Sequence, residues 1–176
     1  MKFLENYKNF SLYSLDKETA EKYQNEILEM LNLIPKANYK FSDIVAEKKG
    51  ERNFFEKWNH SLIVFDRIKN IPVGILIGYE REKENNCLYK ENCFYINEIA
   101  INPNYQGYGI GKYLMEYFIK SKQDFLSLSG DLIFKIQTED SFENKKVIDF
   151  YKSLDFKEIG KKEYPSKFDL VLELKK

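Results

Sequence analysis

Cysteine and histidine are scarce in this chain of 176 residues, which has two cysteines, Cys87 and Cys93, and one histidine. A C-x5-C pair fits no common zinc spacing and makes no disulfide framework. With a single histidine, a conventional site built from histidine and cysteine ligands is not expected either. We therefore predict no metal, and we interpret both thiols as ordinary ones in a reducing compartment.

The chain also lacks an excess of charge, because 28 Lys plus Arg balance 28 Asp plus Glu. Since nucleic-acid-binding domains normally carry a basic excess, we expect no nucleic-acid partner. Long apolar runs are missing too: runs such as 75–77 fall far short of the roughly 20 residues that span a bilayer. No basic stretch leads into an apolar run, so we expect no secretory signal, no membrane partner and a cytoplasmic protein.

Apolar and aromatic residues are plentiful by contrast, at 43% and 16% of the chain. A chain of this size buries roughly 70% of its unfolded surface, which is enough for a core without disulfides or a metal. The length is close to that of one average domain of roughly 150 residues. We therefore predict that residues 1–176 form a single domain.

Hydrophobic periodicity predicts a helix at the beginning of the chain and a mixed sheet after it. Apolar residues recur every three or four positions over 16–34, where Asp16 is the expected N-cap and Pro35 the stop. Residues 36–59 suggest one or two short helices, so we interpret 1–60 as a helical region. Later strands are predicted at 61–65, 73–79, 94–101, 132–137 and 168–174, and later helices at 109–121 and 144–154. This order predicts a mixed α/β sheet with helices on both faces.

The stretch that carries chemistry is 97–112, a predicted strand followed by a glycine-rich loop and the start of a helix. Unpaired N–H groups at a helix N-terminus, together with glycines that let the backbone approach a ligand, suit a phosphate. The P-loop pattern fails, because only three residues separate Gly107 from Gly111 and Tyr113 follows Lys112. The dinucleotide pattern G-x-G-x-x-G fails on spacing as well.

A different pattern fits, namely Q-x-x-G-x-G beginning at Gln106, which resembles the central motif of the GNAT acetyltransferase superfamily. A second segment, 144–156, is similar to the later helix of that family, which often has the pattern N-x-x-A-x-x-F-Y-x-x-x-G-F. Two departures are visible, since Val147 replaces the usual alanine and Asp155 the usual glycine. The specific resemblance covers residues 93–157.

The resemblance implies the GNAT fold, an α/β fold whose mixed, mostly antiparallel central sheet is splayed at the cofactor strand and carries helices on both faces. It implies that 93–157 is the core that binds acetyl-CoA and that 1–60 lies on the acceptor side. Acetyl-CoA is then the co-substrate, with no metal. A homodimer is common in the family, although nothing in the sequence demands one.

The resemblance also assigns roles to individual residues. Tyr151 would protonate the leaving thiolate, since a tyrosine of pKa about 10 can serve a thiol of pKa about 8.5. Glu98, directly or through water, would take the proton of the amine, and Asn97 would mark the family's strand bulge. Tyr151 can also be a packed aromatic residue, and Glu98 a solvent-facing one. The cofactor-binding residues are expected to be Ile99, Ala100, Ile101, Gln106, Gly107, Tyr108, Gly109, Ile110, Gly111, Lys112 and Asn144.

We predict from these residues an N-acetyltransferase that moves an acetyl group from acetyl-CoA to a primary amine by direct attack in a ternary complex. The acceptor is expected to be a small molecule. Two alternatives stay open: a module that binds or senses acyl-CoA without turnover, and a protein N-terminal or lysine acetyltransferase. Candidate acceptor-side residues are Tyr39, Phe41, Phe54, Phe55, Trp58 and Tyr164, with Asp43, Glu47 and Glu56 as acidic groups.

Overall fold

The structure is a computed structural model that describes residues 1–34, 38–50, 52–123 and 131–176. The strands in these residues are β1 Phe3–Tyr7, β2 Phe10–Ser14, β3 Lys48–Lys49, β4 Arg52–Asn53, β5 Leu62–Asp66, β6 Ile71–Arg81, β7 Cys93–Ile101, β8 Ile133–Glu139, β9 Lys157–Tyr164 and β10 Lys167–Lys175. The helices are α1 Lys17–Lys22, α2 Gln24–Asn32, α3 Phe41–Val45, α4 Ile110–Lys120 and α5 Lys145–Lys152. None of these helices is long and apolar enough to cross a membrane.

Eight strands form one open sheet in the order β1-β2-β5-β6-β7-β8-β10-β9. All neighbours in it are antiparallel except β7 and β8, which run parallel. These two strands pair only from Phe94–Phe134 to Ile96–Ile136, although β7 continues to Ile101 and β8 to Glu139. The sheet therefore opens into a wedge beyond Ile96, and the predicted splayed α/β sheet is confirmed.

Helices cover both faces of the sheet, because its central strands are apolar on both sides. Ile63 and Ile75 contribute to the core under α1 and α2, whereas Val64 and Leu76 contribute to the core under α4 and α5. This alternation is the period of two expected of a strand, and a strand that is buried on both faces has apolar residues at every position. The two layers hold β6 and β7 at the centre of the molecule.

The beginning of the chain differs from the prediction of a helical region over 1–60. A hairpin, β1–β2, precedes the helices, and Lys8 in its turn has a positive φ of 55° that its residue type does not signal. The predicted helix over 16–34 is split into α1 and α2 at Tyr23, whose ψ of 29° is not helical. Asp16 is confirmed as the N-cap, since it accepts a hydrogen bond of 2.8 Å from the Thr19 N–H. Pro35, the expected stop, lies outside the described residues.

Gly78 on β6 shows how closely α4 packs on the sheet. A Cβ atom at this position would lie 2.7 Å from Cε2 of Phe118 and 3.1 Å from the His60 carbonyl oxygen. At Gly111 the nearest atom, Cζ of Phe150, would be 3.7 Å away, which is an ordinary contact. Gly78 is therefore required by packing, whereas Gly111 is not.

We expect Gly78→Ala to lower the free energy of unfolding by about 1–3 kcal/mol, because the added methyl group overpacks the interface with Phe118. The matched variant Gly111→Ala should leave the free energy of unfolding unchanged or raise it, because alanine is the better helix former. Urea denaturation of both variants measures the difference. Equal stability of the two would contradict the close packing described for Gly78.

Candidate active site

The wedge between β7 and β8 opens into a cavity of about 820 Å³. Its walls come from β7 and β8, from the segment that follows α2, from the start of α5 and from the start of β10. The cavity brings together seven of the residues predicted from the sequence, which are Glu98, Ile99, Ala100, Ile101, Gln106, Asn144 and Tyr151. The other predicted residues, 107–112, form the loop that begins at its edge.

A β-bulge places Glu98 at the mouth of the wedge. Ile77 of β6 pairs with Glu98 and Gly78 pairs with Ile96, so Asn97 is the extra residue on β7. Such a bulge bends the strand and redirects the side chains that follow it. The bulge predicted at Asn97 is confirmed, and it puts the Glu98 carboxylate on the cavity wall.

The environment of Glu98 raises the pKa of its carboxyl group to a value near neutral pH. Burial raises the pKa of Glu98 to about 7, although the Tyr39 hydroxyl and the charges on Lys49 and Lys57 oppose the rise. The side-chain amide of Asn97 also donates to Oε1 of Glu98 at 3.3 Å. A carboxyl group with this pKa exchanges its proton readily near neutral pH, which is what a general base needs.

Tyr39, which faces Glu98, is fixed by a contact that the sequence does not reveal. The Tyr39 N–H donates to Oδ1 of Asn32 at 2.6 Å, and Nδ2 of Asn32 donates to the Tyr39 carbonyl at 3.2 Å. This pair of hydrogen bonds ties the segment after α2 to the end of that helix. Burial, and then the negative charge of Glu98, raise the pKa of Tyr39 well above its ordinary value, so its hydroxyl stays protonated.

Lys57 is a buried cation close to the same carboxylate, and sequence reasoning missed it. Its ammonium donates to the Ile44 carbonyl and, at 2.7 Å, to the Ala46 carbonyl, which fixes the end of α3. Burial lowers the pKa of Lys57 to about 8, while Glu47 and Glu98 oppose the fall. No local pattern marks this role, because the partners lie more than ten residues away in sequence.

Tyr151 lies on α5 and is 4% exposed. Burial, and secondly the charge of Glu98, raise its pKa well above the ordinary value. The two groups are therefore close enough to interact electrostatically across the wedge. The hydroxyl of Tyr151 keeps its proton over the working pH range, and it is a weaker acid than the sequence prediction assumed.

The glycine-rich loop presents a row of free N–H groups. Gly107 and Gly109 have φ values of +83° and +85°, which only glycine adopts without strain. Gly109 is the N-cap of α4, and within the described residues no carbonyl accepts from the N–H groups of 107–112. Gln106, which lines the cavity, donates to the Ile101 carbonyl at 3.3 Å and so ties the loop to the end of β7. Such a row at the positive end of a helix suits an anion.

Several predicted side chains are committed to the protein itself. Both amide hydrogens of Asn144 are used, in bonds of 2.7 Å to Oγ1 of Thr138 and 2.8 Å to the Glu139 carbonyl. Ile110 is 1% exposed and packs in the core, so only its backbone is free for a ligand. Lys112 is exposed and lies 3.7 Å from Glu116. Among the described residues no group of three or more metal-ligating side chains occurs.

The acceptor side of the cavity is more polar than the aromatic sequence suggests. Of the residues predicted there, Tyr39, Asp43 and Phe54 line the cavity, whereas Phe41, Phe55, Trp58, Tyr164, Glu47 and Glu56 do not. Among the residues that were not named as candidates, Gln137, Lys167 and Asp169 also line it. Nε2 of Gln137 donates to Oδ2 of Asp169 at 2.7 Å, and Lys167 pairs with Oδ1 of Asp169 at 3.1 Å. Gln137 lies on β8 and the other two lie on β10, so no local sequence pattern predicts that they meet.

Comparisons with known proteins agree with this geometry. Residues 25–156 match the model of the acetyltransferase (GNAT) family. A chain of the NatC complex bound to Gag peptide and CoA is 20% identical, with 94% of this chain and 98% of that chain covered and a TM-score of 0.71. Naa50 of Arabidopsis thaliana, in complex with the bisubstrate analogue CoA-Ac-MVNAL, is 16% identical, with 94% and 98% covered and a TM-score of 0.63.

The ribosomal-protein-S18-alanine N-acetyltransferase from Escherichia coli is 13% identical, with 94% of this chain and 93% of that chain covered and a TM-score of 0.66. At these identities the three solved structures show a shared fold. A search of curated proteins finds no match.

The raised pKa of Glu98 makes a prediction about stability. Between pH 4.5, the ordinary pKa, and about 7, the folded protein holds a proton that the unfolded chain has lost. The stability that this proton gives is complete below the ordinary pKa and is lost as the pH rises through the folded pKa. Glu98→Gln cannot lose a proton. The free energy of unfolding of Glu98→Gln, relative to that of the wild type, should therefore increase as the pH rises, by up to about 3 kcal/mol.

Urea denaturation between about pH 4 and about pH 8 measures this gain. Glu116→Gln, at an exposed position on α4, is the control, and its difference from the wild type should stay nearly constant. A difference for Glu98→Gln that does not change with pH would show that Glu98 is an ordinary surface carboxylate.

Proposed function

Because the chain belongs to the GNAT acetyltransferase family, and is therefore an acyltransferase, we propose that it transfers an acetyl group from acetyl-CoA to a primary amine. The observation that carries the proposal is the wedge itself. A single cavity contains Glu98, with its pKa of about 7, and Tyr151, with its retained proton, and reaches the edge of the loop with free N–H groups. These are the three requirements of amine acylation by a thioester: a base, a donor for the leaving sulfur and an anchor for the donor molecule.

The residues of the wedge fit acetyl-CoA. Beyond Ile96 the edge of β7 that faces β8 has no strand partner, so the backbone of Ile99 and the N–H of Ile101 are available to an extended amide chain such as pantetheine, while the Ile101 carbonyl accepts from Gln106. The N–H groups of 107–112 and the glycines among them suit the pyrophosphate. When bound, acetyl-CoA supplies an activated thioester carbonyl. Asn144 would then act indirectly, by fixing the start of α5 against β8.

Glu98 is assigned the role of the base. An amine attacks only in its neutral form, so its proton has to leave before or during the attack. Glu98 lies at the opening of the wedge, on the sheet face that α2 covers, where Ile77 and Ala100 belong to the same core. It accepts the proton directly or through one water. Because its pKa is about 7, the carboxylate is ionised in a large fraction of molecules at neutral pH.

Tyr151 is assigned the role of hydrogen-bond donor to the departing sulfur. Its pKa is raised above the ordinary value of about 10, so complete proton transfer to a thiolate of pKa about 8.5 is uphill. A hydrogen bond from the Tyr151 hydroxyl still stabilises negative charge that develops on the sulfur, and it is strong because the site is buried. The sequence prediction of a full general acid is revised to this extent.

The acceptor is a primary amine, and two classes are proposed. The sequence favours a small cationic amine, and Asp43 and Asp169 on the cavity wall are groups that could bind one. A peptide N-terminus is the second candidate, because the NatC structure holds a peptide and the Naa50 structure a peptide-like analogue. From the sequence and the resemblance we also propose that 1–176 is a single domain, with 1–60 on the acceptor side and 93–157 as the core that binds acetyl-CoA. A cytoplasmic location and a homodimer are proposed on the same basis.

A panel of acceptors tests the function. Acetyl-CoA is incubated with the protein and either small diamines, short peptides with a free N-terminus, or the same peptides with a blocked N-terminus and an internal lysine. Thiol release above the rate without acceptor identifies the class that is used. CoA binding without turnover of any amine would favour the sensing module, and the absence of CoA binding by calorimetry would overturn the proposal.

Tyr151→Phe should lower kcat by roughly 10- to 100-fold, because one hydrogen bond to a charged group is lost from the transition state. Since the ring still packs, the affinity for CoA and the melting temperature should stay at their wild-type values. Tyr117→Phe, on α4 and outside this cavity, is the matched control and should keep the wild-type kcat. If Tyr151→Phe also retains the wild-type kcat, Tyr151 only packs.

A further inference from the structure

The turn of the β1–β2 hairpin contacts the glycine-rich loop from behind. Nζ of Lys8, in that turn, donates a hydrogen bond of 3.2 Å to the Tyr108 carbonyl. The same ammonium lies 4.9 Å from the centroid of the Tyr7 ring. Among the described residues no carboxylate forms an ion pair with Lys8. Its hydrogen bond to the loop is therefore its main polar contact.

Aromatic packing fixes the hairpin against the first turn of α4. The Tyr7 ring stacks on Tyr113 with a centroid distance of 4.2 Å and an interplanar angle of 9°. The Tyr113 hydroxyl donates to Oε1 of Glu5 at 2.8 Å, and the Tyr113 N–H donates to the Gly109 carbonyl at 3.0 Å. The hairpin and the loop are thus held by the same residue, which keeps the backbone of Lys8 within reach of the Tyr108 carbonyl.

The orientation of one peptide group follows from this contact. In a trans peptide the carbonyl and the next N–H point in opposite directions. Since the Tyr108 carbonyl points toward the hairpin, the Gly109 N–H points away from it. The opposite side of the α4 N-terminus faces α5, where the Cβ position of Gly111 lies 3.7 Å from Phe150. The Gly109 N–H is therefore directed away from the hairpin, toward the side of α4 that faces α5.

The loop itself fixes this orientation only weakly, because rotation of the Tyr108–Gly109 peptide changes ψ of Tyr108 and φ of Gly109. Gly109, with a φ of +85°, has the conformational freedom that lets this peptide group rotate at little cost. A rotated Tyr108–Gly109 peptide would point its carbonyl, with a partial negative charge, toward the place where a phosphate is expected. A contact from outside the loop is needed to keep the N–H there.

We propose that Lys8 is a positioning residue of the glycine-rich loop: its hydrogen bond to the Tyr108 carbonyl keeps the Gly109 N–H pointing away from the hairpin, where it can bind a phosphate of the cofactor. The inference rests on the proposed function, since it takes the phosphates of CoA as the anion. It gives the N-terminal hairpin a role in cofactor binding that the motif sequence does not contain.

Kinetics with two acetyl donors test the role. Lys8→Met removes the hydrogen bond and Lys8→Arg retains a donor, while Lys2→Met, at an exposed position next to β1, is the control. With acetyl-CoA, Lys8→Met should raise KM roughly tenfold at unchanged kcat, which is the loss expected for one hydrogen bond to a charged group. With S-acetylpantetheine, which has no phosphate, kcat/KM should not change. Lys8→Arg should restore most of the affinity, and Lys2→Met should match the wild type.

The amide resonance of Gly109 in the free protein separates positioning from direct contact with a phosphate. If Lys8 orients the peptide, this resonance shifts or splits in Lys8→Met without any ligand and returns in Lys8→Arg. An unchanged resonance together with a raised KM would mean that Lys8 contacts the phosphate itself, which overturns the positioning role.

Two further results would also overturn the inference. An equal loss with both donors, accompanied by a lower melting temperature, would show that Lys8 only stabilises the fold. If the wild type binds CoA and Lys8→Met binds it equally tightly, the role of Lys8 is disproved while the proposed function stands. If the wild type itself does not bind CoA by calorimetry, the proposed function fails first, and the cofactor role of Lys8 fails with it.

Discussion

The parting of β7 from β8 after Ile96 is the constraint on which the site depends. Parallel pairing stops after three residue pairs, and the bulge at Asn97 begins at the same point. The backbone that follows on β7 keeps its partner on β6 but has none toward β8. Unpaired peptide groups in the interior of a sheet are costly unless something pairs with them. A ligand in the wedge would meet this need, and the same parting of β7 from β8 is what opens the cavity.

The groups around the wedge keep the pKa of Glu98 near neutral pH. Burial alone would push its pKa further up, and Tyr39, Lys49 and Lys57 pull it back to about 7. Both Tyr39 and Lys57 are themselves held by backbone contacts, to Asn32 and to the end of α3. The segment between α2 and β5 therefore does more than line the cavity, because it sets the electrostatic environment of Glu98.

Local patterns predicted the parts of the site that depend on neighbours in sequence. The glycine spacing indicated the loop before α4, a short β-branched run indicated β5, alternation of apolar residues indicated β10, and Asp16 was recognised as an N-cap. Contacts between distant residues gave no such signal: the Asn32–Tyr39 bonds, the burial of Lys57 and the Gln137–Asp169 pair are decided by tertiary packing. The same is true of the β1–β2 hairpin, whose turn has Lys8 at a positive φ, and of β9, a charged edge strand that lacks apolar alternation.

We propose that the wedge places the half-buried carboxylate of Glu98, with its pKa of about 7, where the acceptor amine reacts. The dependence of kcat/KM on pH, for the wild type and for Glu98→Gln with the best acceptor, tests this placement. The wild-type profile should have an acid limb with an apparent pKa of about 7, and this limb should be missing in Glu98→Gln, with a lower plateau. A Glu98→Gln profile with the same limb and the same plateau as the wild type would contradict the claim.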